Sequence, residues 1–483
     1  MKELELECGG FYFENRELKL NRKEKIVGGE CELAGITVAL GAMEMSKMKF
    51  GAPVLLSLAG LLAWGGAADA ADLGGNCCAD LEERIAELEA TTARKGNRKV
   101  SLTVSGWIGQ QVMWWDDGSE SNAYVHDLGS GIASNVKFTG EATITQGWTA
   151  GYVLHLETIG SDSLSTNQDR ADGFNVVSQT SGSNGVSALQ SYWFIKSDQL
   201  GKLSVGKQHT ASTHAAIFID GSGSALFANW VAYDVNSFGI RMKNGAFVGP
   251  TGPVRTASES ALIWGGGRYC QSAGGALGDC DGFPRNVVRY DSPTFAGFSG
   301  SASWGEDDIW SLAGRYAGEW ADFKITATAA YFESTDENLN LGVSATQQYF
   351  QAAAYLQHIP TGLFAYGAYG HDSYDSAPGQ SEAYHLKGGI RRSWNTLGHS
   401  VLYGEFLHVH GTGEFSQSAQ IANNFDATEN TTKLWGIGVV QEIDAAAMSI
   451  WLKYRHLDYA DDNQVGVSYK GFQYVGVGAM ISY

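Results

Sequence analysis

Proline is scarce in this 483-residue chain, with 7 in all against 62 glycines. Proline removes a ladder donor, so its near absence permits long unbroken strands, while glycine supplies their turns. Long hydrophobic runs are equally scarce. One stretch, Phe50 to Ala68, stands out, and the mean hydropathy is −0.16. That excludes a bundle of membrane helices. A strand protein whose faces alternate keeps its mean hydropathy near zero even with an apolar outside. Basic residues are outnumbered, 33 Lys and Arg against 52 Asp and Glu, for a net charge of −19. This argues against nucleic acid as a partner. Signatures of catalysis are missing too: there is no G-x-S-x-G, H-E-x-x-H or P-loop, and no zinc spacing that involves histidine.

The start of the chain reads as an export segment. Lys47 and Lys49 precede the apolar stretch Gly51–Leu62, and Ala68-Asp69-Ala70 supplies small residues for cleavage. Residues 45–70 are therefore expected to be a signal peptide, with the mature chain starting at Ala71. Residues 1–44 lie upstream of it and are expected to be a spurious extension from a start codon placed too early. Cys8 and Cys31 fall there. Of the others, Cys270 and Cys280 enclose a Gly-rich stretch and are expected to form a loop disulfide outside the cytoplasm. Cys77 and Cys78 are adjacent and are left either free or joined to other chains. Residues 71–99 form an N-terminal segment with one helical pattern. It runs Ala79 to Ala93, with Leu81, Ile85 and Leu88 on one face, either in a short coiled coil or packed on the base of the following domain.

From residue 100 to 483 the chain is a succession of alternating runs, joined by tight turns and long polar loops in turn. Sixteen are counted, from Val100–Trp115 to Phe472–Tyr483. The terminal run, F-Q-Y-V-G-V-G-A-M-I-S-Y, ends on an aromatic. An even count with asymmetric ends suits an all-β, antiparallel transmembrane barrel whose last strand pairs with its first. The one anomaly is His209 to Pro284, far longer than a turn and expected to be functional. It holds two further candidate strands, Ser237–Lys243 and Glu259–Trp264, which would raise the count to eighteen.

Period-two alternation sorts each run into two faces. Val136, Phe138 and Ile144 fall outward, and Lys137, Thr139 and Glu141 inward. The same rule turns Arg285, Arg289, Arg315, Lys324, Lys387, Arg391, Lys453 and Arg455 inward. A charge on the lipid face costs about 2–4 kcal/mol at mid-bilayer, so these bases are expected to line a water-filled lumen. The long segment supplies acids, Asp220, Asp234, Glu259, Asp279 and Asp281. If it folds inward, Asp220 and Asp234 would face the basic wall and set up a transverse field. The alternative is that it caps the barrel outside.

Two stretches carry a resemblance. R-N-V-V-R-Y-D-S-P-T-F-A-G-F-S-G-S-A-S-W, from Arg285 to Trp304, resembles the strand–turn–strand that follows the constriction loop of general diffusion porins. Ala71 to Gly106 resembles the mature start of alphaproteobacterial porins, with its Cys pair, short helix and first strand together. With the terminal strand, the resemblance spans residues 71–483. It implies a sixteen-stranded outer-membrane barrel, usually a homotrimer, with the third outer loop folded into each pore. It implies passive diffusion of small hydrophilic solutes, with no catalysis and no cofactor. On this chain it places the constriction loop within His209–Pro284 and wall bases at Lys137, Arg285 and Arg289. The Ala71-Asp72 start resembles that of family members attached to peptidoglycan. The chain departs from the pattern in the length of the loop and in ending on Tyr rather than Phe.

Two rival functions remain open at this level. A substrate-specific sugar or anion channel would use inward Trp107 and Trp451, with Trp230 and Tyr233 from the long segment, as stacking surfaces. A secreted soluble all-β binding protein would be extracted without detergent. His408 and His410 suggest a metal pair, but no third ligand accompanies them, and no metal is expected.

Overall fold

The computed structural model describes residues 99–483 apart from 162, 172–184, 230–233, 250–251, 266–280, 307, 336–345, 376, 414–426 and 464–465. The export segment, the Cys77–Cys78 pair, the short helical pattern, Trp230, Tyr233, Asp279 and the Cys270–Cys280 pair all lie outside the described residues.

Sixteen antiparallel strand positions close into a barrel. The first half comprises β1 (Ser101–Asp116), β2 in two collinear segments (Ser121–His126 and Ser134–Thr145), β3 (Trp148–Ile159), β4 (Gly185–Ser197), β5 (Gly201–Gln208), β6 (Arg285–Asp291), β7 (Phe298–Gly305) and β8 (Ile309–Trp320). The second half comprises β9 (Phe323–Ser334), β10 (Gln347–His358), β11 (Leu363–Tyr374), β12 (Ala377–Asn395), β13 (Gly398–Thr412), β14 (Glu429–Ile443), β15 (Met448–Asp461) and β16 (Phe472–Ser482). Each pairs with its neighbour in sequence, and β1 closes the ring on β16 through Trp107–Asp116 against Gln473–Ser482. Among the described residues no helix is long and apolar enough to cross a membrane; the strands do the crossing.

Alternation explains why these segments form a wall. In β16, Tyr474, Gly476, Gly478 and Met480 turn to a buried inside, and Val475, Val477 and Ile481 turn out. Outward positions all round the barrel carry exposed large apolar side chains, among them Ile108, Trp193, Trp304, Leu312, Leu386 and Ile437. In water that surface would be a severe liability; in lipid it is the solvated one. Glycine matters where a ring must lie flat on the wall. A Cβ on Gly478 would come within 2.1 Å of the Trp451 ring opposite it, so only glycine admits that indole.

The structure decides the strand count and departs from the sequence reading in two places. The wall has the sixteen positions counted in the sequence, and the two further candidate strands that would have made eighteen are not part of it. Ser237–Lys243 and Glu259–Trp264 meet only through isolated bridges such as Gly239 with Ile263, inside the barrel. Strands β11 and β12 run past their apolar alternation, out to the pairing of Tyr374 with Ala377. And β2 is interrupted. Its first segment pairs with Gln111–Asp116 and its second with Ser101–Trp107. Residues between them turn inward, where Leu128 and Ile132 are buried. The Ser134 hydroxyl fills the gap, accepting from the Gly109 N–H at 3.1 Å and donating to the Gly109 carbonyl at 3.4 Å. No backbone group of Gly109 is thus left bare toward lipid.

The core lies within the barrel rather than between layers. One cluster joins Val235, Phe238, Ile240, Leu262 and Trp264 of the long segment to Trp115, Leu434, Leu457, Phe472 and Tyr474 of the wall. A second joins Ile217, Phe227 and Ala228 to Tyr355, Tyr366, Val401, Tyr403 and Trp451.

Candidate functional site

The described parts of the segment between β5 and β6 lie in the lumen and pack on the inside wall. Its first stretch carries two single-turn helices, α1 (Ala215–Phe218) and α2 (Ala225–Ala228). Near its start it hangs on wall arginines. Arg289 donates to the His209 and Thr210 carbonyls at 3.0 and 2.8 Å, and Arg315 donates to the Ala211 carbonyl at 2.8 Å. Buried Asp281, at the far end, accepts from the Ser212 and Thr213 hydroxyls at 2.9 and 3.1 Å, from Thr210, and from Arg285 Nε at 3.2 Å. The two ends of the segment are thereby tied together. The α1 turn is held by Gln351, whose amide oxygen accepts from the Ala216 N–H at 2.8 Å, and by the Tyr366 hydroxyl, which donates to the Ala216 carbonyl at 3.0 Å.

Further along, acids of the segment meet bases of the wall directly. Lys387 pairs with Asp220 and donates to Ser224 Oγ at 2.9 Å and to Asn229 Oδ1 at 2.8 Å. Lys453 reaches Asp234 Oδ2 at 2.5 Å, and Arg455 reaches the same oxygen at 3.2 Å. Tyr474 donates its hydroxyl to that oxygen at 2.7 Å, and Gln111 donates to Oδ1 at 2.8 Å. Arg455 also holds Glu405, at 2.7 Å from Nε and 3.1 Å from a terminal nitrogen. The Lys387 and Arg455 side chains are 0% exposed. Burial alone would push the Asp220 carboxyl up, but the Lys387 ammonium against it holds it below its ordinary 3.8. Asp234 is likewise held low, burial being outweighed by Lys453 and Arg455. Both are ionised at neutral pH.

Position and stability come from different sources here. A buried ion pair roughly breaks even against the cost of desolvating its charges. Each large apolar side chain taken out of water contributes about 1.5–3 kcal/mol. The apolar clusters therefore hold the segment in, and the ion pairs fix where it sits.

The charges expected to face one another across a gap do not all do so. Asp220 and Asp234 are in contact with Lys387, Lys453 and Arg455, so they oppose no distant base. Glu259 is not among them: it sits on an exposed turn, accepting from Thr256 Oγ1 at 2.6 Å. Arg285 joins Asp281 and Glu306, and Arg391 joins Glu442 at 2.8 Å. Lys324 is exposed on the inner face of β9, opposite Glu319. Lys137 is exposed on the inner face of β2, opposite His155. Trp451 lies inward but under the segment, stacked on Phe227 at 4.2 Å between ring centres, and its indole donates to Gln111. Trp107 donates to the Ile132 carbonyl. Neither ring is a free stacking surface. His408 and His410 stack on the face opposite Glu405, and among the described residues no group of acids, histidines and cysteines could hold a metal.

Sequence reasoning missed three partners. Arg241 of the segment reaches Asp117 at 2.6 Å, and stacks on Phe247. Nothing local announces that pair. Lys196 and Lys202 also went unnoticed, although the alternation of Tyr192, Phe194 and Lys196 already turns them inward; Lys202 lies over the Tyr192 and Phe194 rings at 5.7 and 5.4 Å.

A closed antiparallel barrel with an apolar outside and a segment folded into its lumen defines an outer-membrane channel. The chain belongs to the Gram-negative porin family, whose model matches residues 57–480. It is an outer-membrane porin that allows passive diffusion. Solved structures similar to it include an anion-selective porin from Comamonas acidovorans, 13% identical, TM-score 0.50, covering 80% of this chain and 100% of that one. OmpF of Salmonella typhi in complex with daunomycin is 14% identical, TM-score 0.47, covering 80% of this chain and 99% of that one. In-vitro folded OmpT of Vibrio cholerae is 11% identical, TM-score 0.47, covering 80% of this chain and 99% of that one. No curated protein matches the chain.

Proposed function

We propose that this porin passes small hydrophilic solutes and ions along a water path bounded on one side by the infolded segment 209–284 and on the other by Lys137, Arg289, Arg315 and their neighbours. The observation that carries the reading is the contrast in exposure. Lys387, Lys453 and Arg455 are sealed beneath the segment, whereas Lys137 and Lys324 remain in water. In this reading Lys387, Arg391, Lys453 and Arg455 are anchors, with Asp220 and Asp234 as their counterparts, and Arg285 and Arg289 secure the ends of the segment. The channel does no catalysis and takes no cofactor.

The finer features of the reading extend the resemblance. The mature chain starts at Ala71 and is attached to peptidoglycan there. The segment 71–99 lies on the periplasmic side, the barrel runs from 100 to 483, and Cys270 and Cys280 are bridged. The porin is of the alphaproteobacterial kind and assembles as a homotrimer. Detergent-purified protein in a planar bilayer tests this: stable conductance should appear in steps grouped by three. A folded barrel that passes no current contradicts the channel, and single ungrouped steps contradict the trimer.

A further inference from the structure

We infer that the channel prefers anions, although the chain as a whole carries a charge of −19. The inference deepens the reading above and rests on the lumen being the path of the solute. Selectivity follows the unbalanced charge along the water path, not the total, because charges more than a Debye length away, about 8–10 Å, are screened. The question is which charges face water and which are cancelled in contact.

On the side sealed by the segment they cancel. Lys387 is neutralised by Asp220, Lys453 and Arg455 by Asp234 and Glu405, and Arg391 by Glu442. The open side, made by β2 to β6, β8 and β9, does not balance. Lys137 and Lys196 are exposed on its inner face, and among the described residues neither forms an ion pair. Arg315 has only neutral partners, Ser301 Oγ and the Ala211 carbonyl, each at 2.8 Å. Arg289 and Lys202 share one carboxylate, that of Asp291, at 2.7 and 3.9 Å. Three more acids lie on this face: Glu141, exposed and directly across from Gly151; Glu157, buried and accepting from the Gly131 and Ala133 N–H groups at 2.7 and 3.0 Å; and Glu319 of β8, exposed opposite Lys324 of β9. With Lys324, six cations thus stand with four carboxylates, an excess of two positive charges. His209 and His214, at the start of the segment, do not alter the balance. Burial lowers both, His214 to about 3 and His209 well below its ordinary value, so both are neutral at pH 7. An inner wall with excess positive charge, confined between low-dielectric walls, concentrates anions and raises the barrier to cations.

The solute class is therefore small hydrophilic anions, with chloride as the simplest probe. The test is the reversal potential of the purified full-length porin in a planar bilayer under a potassium chloride gradient, for the parent chain and for Lys137→Glu/Lys196→Glu. Both side chains are exposed and donate no hydrogen bond among the described residues, so the variant should fold and conduct. The parent is expected to pass chloride several-fold more readily than potassium, and the double variant to reverse the sign of the potential. A conducting parent that prefers potassium overturns the anion inference and leaves the porin standing. An anion preference that ignores the double substitution overturns the assignment to this wall. A folded barrel with no current overturns both the inference and the channel reading beneath it.

Discussion

Asp234 shows how much one side chain can organise. Its two oxygens take Lys453, Arg455, Tyr474 and Gln111, which come from three strands on either side of the closing seam. Asp234→Ala would leave buried Lys453 without its carboxylate and Arg455 with Glu405 alone. That loss is expected to cost about 3–5 kcal/mol and to lower the urea midpoint of the refolded barrel in detergent; an unchanged midpoint would mean the site opens to water. Ser134 makes a smaller claim. Ser134→Ala removes the hydroxyl that satisfies Gly109 in the wall, at an expected cost of about 1–3 kcal/mol, read from the same denaturation curve. At this scale the sequence was partly legible. Alternation turns Lys387, Lys453 and Arg455 inward from their own strands alone. It says nothing of which acid meets them, because Asp220 and Lys387 are joined only by the fold.

At the scale of the element, the wall and the segment differ in how far local pattern reaches. A strand such as β13 advertises itself, since Val401, Tyr403, Glu405 and Leu407 alternate with Leu402 and Phe406. The break in β2 does not, because its first segment spans only Ser121–His126. The infolded segment gave the wrong sign of pattern: Ser237–Lys243 alternates like a strand yet packs against wall residues through Phe238 and Ile240. Its dependence on pH follows from Asp220 and Asp234. Both are held below 3.8 in the fold, so their contribution is complete above that pH and is lost as pH falls below it through the lowered values. Single-channel current is therefore expected to be steady at pH 5 to 8 and to become noisy or enlarged below about pH 3.8. A segment indifferent to such acid would place its hold in the apolar clusters alone.

For the molecule as a whole, the outside and inside obey opposite rules. The outward belt of Leu312, Leu386, Ile437 and their neighbours is exposed because lipid is its solvent. Replacing Ile437 by Arg is expected to cost about 2–4 kcal/mol if that position lies near mid-bilayer, measurable as reduced folding into vesicles; a harmless substitution would move the belt. The barrel class was legible because period-two alternation repeats along the chain from residue 100. The asymmetry of the lumen was not, since it depends on where one long segment comes to rest.

The central claim is that the segment lies in the lumen and leaves water on the Lys137 side while sealing the Lys387 side. Thiol accessibility in the conducting channel tests it most directly. Lys137→Cys and Lys387→Cys would each be exposed to a bulky charged thiol reagent during bilayer recording, with the parent chain's own response subtracted. The account predicts that current falls on modification of Lys137→Cys and stays unchanged for Lys387→Cys. Block at Lys387→Cys with none at Lys137→Cys would contradict it.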